Sequence, residues 1–403
     1  MNKIILIIAL FLCILMGTGS SAAQKQKGVS SEQLSLLSHI ITAFQQYSVV
    51  PVSTDTAIQA AIYAVVDGLD PHSSYLSKDY FDALQHKKKG MISGVGLELI
   101  MLYGNLTILS TISGSSAAVQ GVQAGDQIIR IQGEKTGARK IQDLVLLLRG
   151  PVGSQVVITV KRPGFQVPLQ FTLVRDIIDR PTLSCQVLGT GGVYIKISDF
   201  EKSVTGKIRL FLHENLNELQ GHGLILDLRD NPGGKLPYAV TVADIFFDSG
   251  SIVTTVEGKS GKKRTYRAHA AGKRGGYPVI VLVNGRTASA AEVLAAALQD
   301  HKRAIILGTA TFGKGTIQKI IPLIHGGAIQ LTTGRYYTPT GRSLQAVGIV
   351  PDILMPLSIS KKRDSVGDTS PVVNGIDMDN QLKSALDIIK VLQKSRSSQT
   401  GTL

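Results

Sequence analysis

Ser289 stands where an apolar run, Val279-Ile-Val-Leu-Val283, breaks into Asn284-Gly-Arg-Thr-Ala288, and small helix-forming residues follow from Ala290. A buried strand, a tight turn and a helix in that order put the serine in the first helical turn. Backbone N–H groups there lack partners and the helix dipole is positive. A hydroxyl so placed can attack a carbonyl while nearby N–H groups hold the oxyanion. The string Ser289-Ala-Ala-Glu292 also fits a capping box, in which the serine only closes the helix end.

Lys314 lies in Gly308-Thr-Ala-Thr-Phe-Gly-Lys-Gly-Thr-Ile-Gln318. An uncharged lysine can take a proton from a serine. An exposed one titrates near ~10.4, so burial among apolar groups must pull it well down. The string also spells Gly308-x-x-x-x-Gly313-Lys314, most of a phosphate-binding loop. Against that reading, Gly315 stands where a Ser or Thr should hold magnesium. The following Thr316-Ile-Gln-Lys-Ile-Ile reads as a strand, whereas a phosphate loop must open a helix. In a third segment, Leu224-Ile-Leu-Asp227 runs into Asn231-Pro-Gly233-Gly234, a turn able to present bare N–H groups to an oxyanion. None of the eight histidines has metal-ligand spacing with another histidine or with Cys185, and a serine–lysine mechanism would need no metal or cofactor. A Ser-His-Asp site gathered from distant residues stays open.

Positioning these segments needs alternating strands and helices, and residues 176–356 supply them. Val193–Ser198, Leu224–Leu228 and Pro278–Val283 read as strands; Thr205–Leu219, Tyr238–Phe247 and Ala288–Gln299 read as helices. That alternation indicates a parallel α/β sheet. Residues 91–175 instead carry short β-type runs around two helical pieces, which describes a small mixed domain. Residues 24–90 show helical periodicity (Leu34, Leu37, Ile41, Phe44), with Asp70-Pro-His-Ser-Ser-Tyr-Leu76 read as a turn. Residues 357–403 read as a polar linker and a final helix. Its apolar face, Leu382, Leu386, Ile389 and Leu392, would dock on its own core or on a second copy in a homo-oligomer.

Residues 1–23 combine Lys3, an apolar run from Ile4 to Met16, and small residues to Ala23. This is the pattern of a signal peptide, so export to the periplasm or cell envelope is expected. A retained segment would associate the protein with the membrane. After cleavage only Cys185 remains, which leaves no internal disulfide. The net charge of +14 is scattered in short clusters, so nucleic acid is not an expected partner.

Taken together, Asn231-Pro-Gly-Gly234, Thr287-Ala-Ser-Ala-Ala-Glu292 and Thr311-Phe-Gly-Lys-Gly-Thr-Ile-Gln318 resemble the core of the C-terminal processing peptidases, or tail-specific proteases. Asp70–Leu76, Ser93-Gly-Val-Gly96, Tyr336–Arg342 and Gly348-Ile-Val-Pro-Asp352 extend the resemblance over roughly residues 60 to 355. The family commonly has Ser-Ala-Ser-Ala-Ser-Glu; this chain keeps the middle serine and has Thr287 and Ala291 beside it. The resemblance implies a crotonase-like (ClpP-like) α/β core with an inserted PDZ domain. It implies that Ser289 is the nucleophile, Lys314 the general base and Gln318 the residue orienting the lysine. Ala290 with Gly233 or Gly234 would form the oxyanion hole. Gly94, Val95, Gly96 and Leu97 would grip the free C-terminal tail of a protein or peptide substrate. The alternative is a PDZ scaffold of the envelope with a silent core.

Overall fold

The computed structural model describes residues 28–70, 72–88, 94–102, 104–112, 114–137, 139, 141–178, 182–188, 192–269, 276–358, 372–373, 376–377 and 379–400. Residues 1–23, where a signal peptide is expected, lie outside them, and no helix among the described residues is long and apolar enough to cross a membrane.

Of the described residues, 28–68 belong to one unit. Its helices Ser31–Tyr47 and Thr54–Asp67 begin at serine caps, as unpaired first-turn N–H groups demand. Ser30 and Gln33 exchange bonds in a complete capping box. The periodic Leu34, Leu37 and Phe44 are exposed.

Leu69–Leu403 is the second unit, and it holds three sheets that matter here. The first is antiparallel, in the order Leu97–Leu102, Asn105–Thr111, Gln127–Ile131, Gln155–Lys161, Leu169–Val174. Along Gln155–Lys161 burial alternates residue by residue, the period of a strand with one face on a core. Helix Ile141–Leu148 contributes Leu144 and Leu148 to that core.

The second sheet reads Ile353–Leu354, Ile305–Gly308, Val279–Val283, Leu224–Asp227, Val193–Ile197, Leu183–Val187. All neighbours are parallel except the last pair. Val279–Val283 is buried at every position, as a parallel strand covered on both faces must be. Val279, Val281 and Val283 pack with helices Val204–Glu214, Leu236–Ala243 and Ala290–Asp300. Ile280 and Leu282 face the other way, onto Leu382, Ala385, Leu386 and Ile389 of helix Asn380–Thr400. The apolar stripe of the final helix is therefore covered by its own core. Leu386→Ala should cost about 2–4 kcal/mol, read as a lower midpoint with unchanged slope in urea unfolding.

The third sheet brings distant segments together. Ala328–Tyr337 pairs antiparallel with Thr316–Pro322, Ile252–Gly258 and Ser74–Leu76, and Lys263–Arg267 pairs with Ile252–Gly258. The Asp70–Leu76 string thus ends as a strand rather than a turn. Its partner strand lies more than 250 residues away, so nothing local signals the pairing.

Candidate active site

Strand Val279–Val283 delivers the chain to a turn that fixes Ser289. Thr287 Oγ1 accepts the N–H of Asn284 (3.0 Å) and donates to the Leu228 carbonyl (2.8 Å). Thr287 therefore holds the turn. Ser289 itself has φ 55°, ψ −118°, outside the regions non-glycine residues favour. Helix Ala290–Asp300 starts immediately after it, with Ala290 as its first residue.

The Asn231–Gly234 loop presses against this turn. Ala288 donates to the Asn231 carbonyl (2.9 Å), and the fully buried Asn231 side chain donates to Ile197 O (2.9 Å). Gly233 has φ 115°, and a Cβ there would lie 2.9 Å from Ser289 Cβ. Only glycine admits so close an approach with that backbone. The Gly233 N–H is already donated to Asn231 Oδ1 (2.8 Å). Its use as an oxyanion donor would require that bond to be exchanged.

The fully buried Glu292 joins the two halves of the site. Its Oε2 accepts the N–H of Ser289 (2.8 Å) and the N–H of Lys314 (2.9 Å). Its Oε1 accepts the N–H of Gly313 (2.7 Å) and the Thr311 hydroxyl. Thr311 Oγ1 in turn accepts the Ile349 N–H (2.7 Å), so its own proton is directed to Glu292. The lysine loop and the serine are thereby tied to one carboxylate.

Lys314 is half-buried. Burial penalises its ammonium and lowers its pKa from 10.5; the Glu292 charge opposes this without cancelling it. Burial also pushes the Tyr336 phenol up to about 12, against the opposing effect of its hydrogen bond with the Ser289 side chain. Gln318, expected to orient the lysine, instead donates to Thr316 Oγ1 (2.7 Å). It follows a register irregularity between Ile317 and Gln318, which changes the aim of its side chain.

After Lys314 the chain continues as strand Thr316–Pro322. The loop opens no helix, which removes the phosphate-loop reading. Asp227, at the end of its strand, is occupied too: it bonds Arg229 (2.7 Å) and Tyr194 Oη (2.7 Å).

In the first sheet, the Gly94–Leu97 segment leads into an outermost strand. Gly94 exchanges backbone bonds with Asp176, the Val95 carbonyl accepts from Ala117 (3.1 Å), and that of Gly96 accepts from Ile112 (2.9 Å). Leu97–Leu102 pairs on one side only among the described residues, with Asn105–Thr111. An edge of this kind can accept an added strand.

Comparison with known proteins finds a match in two stretches of the second unit. Residues 192–355 match the model of peptidase family S41, and residues 107–162 match a PDZ domain. A carboxy-terminal-processing protease of Bartonella bacilliformis is 37% identical over 79% of this chain and 73% of its own. The chain belongs to peptidase family S41. A Synechocystis carboxyl-terminal-processing protease is 34% identical over 83% of this chain and 77% of its own. The solved photosystem II D1 C-terminal processing protease superposes with a TM-score of 0.64 at 27% identity, covering 81% of this chain and 94% of that one.

As an S41 member the protein is a serine-type peptidase with a PDZ domain. Its sequence had marked Glu292 only as a helix cap. The missed signal is an acidic residue inside Ala-Ala-Glu-Val-Leu-Ala-Ala-Ala, a helix too small-sided and apolar to leave any face in water. A carboxylate buried there needs donors from elsewhere.

Proposed function

We propose that this S41 peptidase cleaves proteins at their C-terminal tails through a Ser289–Lys314 dyad. The observation that carries the reading is Glu292 Oε2, which accepts the N–H of Ser289 and of Lys314 together. The uncharged Lys314 amine takes the proton of Ser289 Oγ as that oxygen attacks the scissile carbonyl. The Ala290 N–H, with that of Gly234 or a released Gly233, receives the oxyanion. The lysine ammonium returns its proton to the leaving amine, and an acyl-Ser289 ester remains. Water, deprotonated by the same amine, hydrolyses the ester.

The PDZ edge at Gly94–Leu97 and the strand after it would take the tail as an added strand, with the terminal carboxylate at the loop. The core is read as crotonase-like, and the apolar start of the chain as a signal for export to the periplasm or envelope. The names of the two processing-protease relatives support the tail substrate.

An unfolded protein with a free C-terminal carboxylate, compared with the same protein amidated there, tests the reading. The free form should be cleaved with kcat/KM higher by about tenfold, the worth of one charged contact. Equal rates would remove tail capture. Bound but intact substrate with wild-type enzyme would favour a silent scaffold.

A further inference from the structure

Glu292 holds the lysine loop from one side only, through the N–H groups of Gly313 and Lys314. The other side rests on Leu344–Gly348. Ala346 donates to the Gly313 carbonyl (2.9 Å), and Tyr336 donates to the Gly315 carbonyl (2.8 Å). Gly315 lies so close that a Cβ would meet the Gln345 nitrogen at 2.2 Å. One backbone group of this peptide depends on a side chain: the Gly315 N–H donates to Gln345 Oε1 (3.0 Å).

The other end of that amide reaches back 273 positions along the chain. Gln345 Nε2 lies 3.0 Å from His72 Nε2. An amide nitrogen is donor only, so His72 Nε2 is the acceptor in this contact. His72 is itself held in place: its N–H donates to Asp70 Oδ1 (2.8 Å). Asp70 also binds the Ser73 hydroxyl (2.6 Å) and the Thr332 hydroxyl (3.0 Å), which anchors the turn to strand Ala328–Tyr337.

We propose that His72 and Gln345 are positioning residues for the catalytic lysine: the Gly315 N–H, which can only donate, takes the oxygen end of the Gln345 amide, His72 holds the other end, and the amide so anchored fixes the peptide following Lys314. This rests on Lys314 being the base. A glutamine amide has a donor end and an acceptor end of nearly equal shape. Without His72 the far end of the amide has no anchor, the side chain can leave this position, and the Gly315 N–H then loses its acceptor. The peptide would shift and carry the amine away from Ser289. The Asp70–Leu76 string, far from the site in sequence, acquires a task in this arrangement.

The test compares His72→Ala, Gln345→Ala, the double variant and Gln345→Glu on a tailed, unfolded substrate. Each single alanine should lower kcat about tenfold with KM unchanged, as small misplacements of a base do. The double variant should be no worse than Gln345→Ala, because the two act through one hydrogen bond to Gly315. Gln345→Glu should recover most of the loss, since one oxygen can accept from Gly315 and the other from His72 in its Nε2–H form. Losses that multiply in the double variant, or a Gln345→Glu as slow as the alanine, would overturn the proposal. Where His72→Ala does not fold, the two Gln345 variants decide alone. Lys314→Ala serves as control. If it cleaves at the wild-type rate, the dyad and this inference fall together. If it is dead while the His72 and Gln345 variants keep wild-type kcat, this inference falls alone.

Discussion

Lys314→Ala should lower kcat on the order of 10⁴-fold, the upper range for loss of a general base, while substrate still binds. The pH profile of the wild type gives the same group a second signature. Burial lowers the Lys314 pKa from 10.5, so the free amine is available at lower pH than in an exposed lysine. The reactive form is the deprotonated one, so kcat should rise with pH through the folded-state pKa and then level off. A stability effect follows with a definite sign. Between the lowered folded pKa and 10.5 the unfolded chain binds more protons than the native one, so stability increases with pH across that window. Below it the native state carries a penalised ammonium. Lys314→Met should therefore be inactive yet no less stable at neutral pH, and its stability should lose that rise. Urea unfolding at several pH values would show it. An inactive variant that is also markedly destabilised at neutral pH would mean that Lys314 is a structural ion rather than a base.

What the sequence revealed of this site follows the range of the interactions involved. The Val279–Val283 strand and the Gln155–Lys161 alternation are local patterns, and burial follows them position by position. The serine turn, the Asn-Pro-Gly-Gly loop and the lysine loop are each contiguous strings, so their residue types were legible. The couplings between them were not. Glu292 reaches Gly313 and Lys314 across 21 and 22 positions, and Gln345 reaches His72 across 273. Such bonds leave no periodicity. Gln318 shows the converse: a straight strand puts it far from Lys314. A register irregularity does bend the chain there, but it delivers the amide to Thr316. The final helix had two destinations open on its apolar stripe alone. The choice came from the second face of the parallel sheet, which would otherwise have left Ile280 and Leu282 uncovered.

Glu292→Gln should be nearly as damaging as Glu292→Ala, with kcat down on the order of 10²-fold or more and KM little changed. Hydrogen-bond polarity is the cause. Four donors converge on this carboxylate: the N–H groups of Ser289 and Lys314 on one oxygen, and the Gly313 N–H with the Thr311 hydroxyl on the other. A glutamine replaces one of the oxygens with NH2. Placed at Oε2, it opposes the N–H groups of both Ser289 and Lys314. Placed at Oε1, it orphans the Gly313 N–H and forces Thr311 to turn its proton away, although Thr311 Oγ1 already accepts from Ile349. Either orientation leaves at least one buried N–H unpaired, at about 1–3 kcal/mol per group. The strain falls on the backbone of the two proposed catalytic residues, so a loss of stability and a loss of kcat should appear together. Thr311→Val separates these effects: it removes one donor to Oε1 and the acceptor for Ile349, but leaves the Ser289 and Lys314 bonds intact. It should therefore cost stability with a smaller fall in kcat. A Glu292→Gln enzyme that is as fast as wild type would show that the shared carboxylate does not hold the serine and the lysine in register.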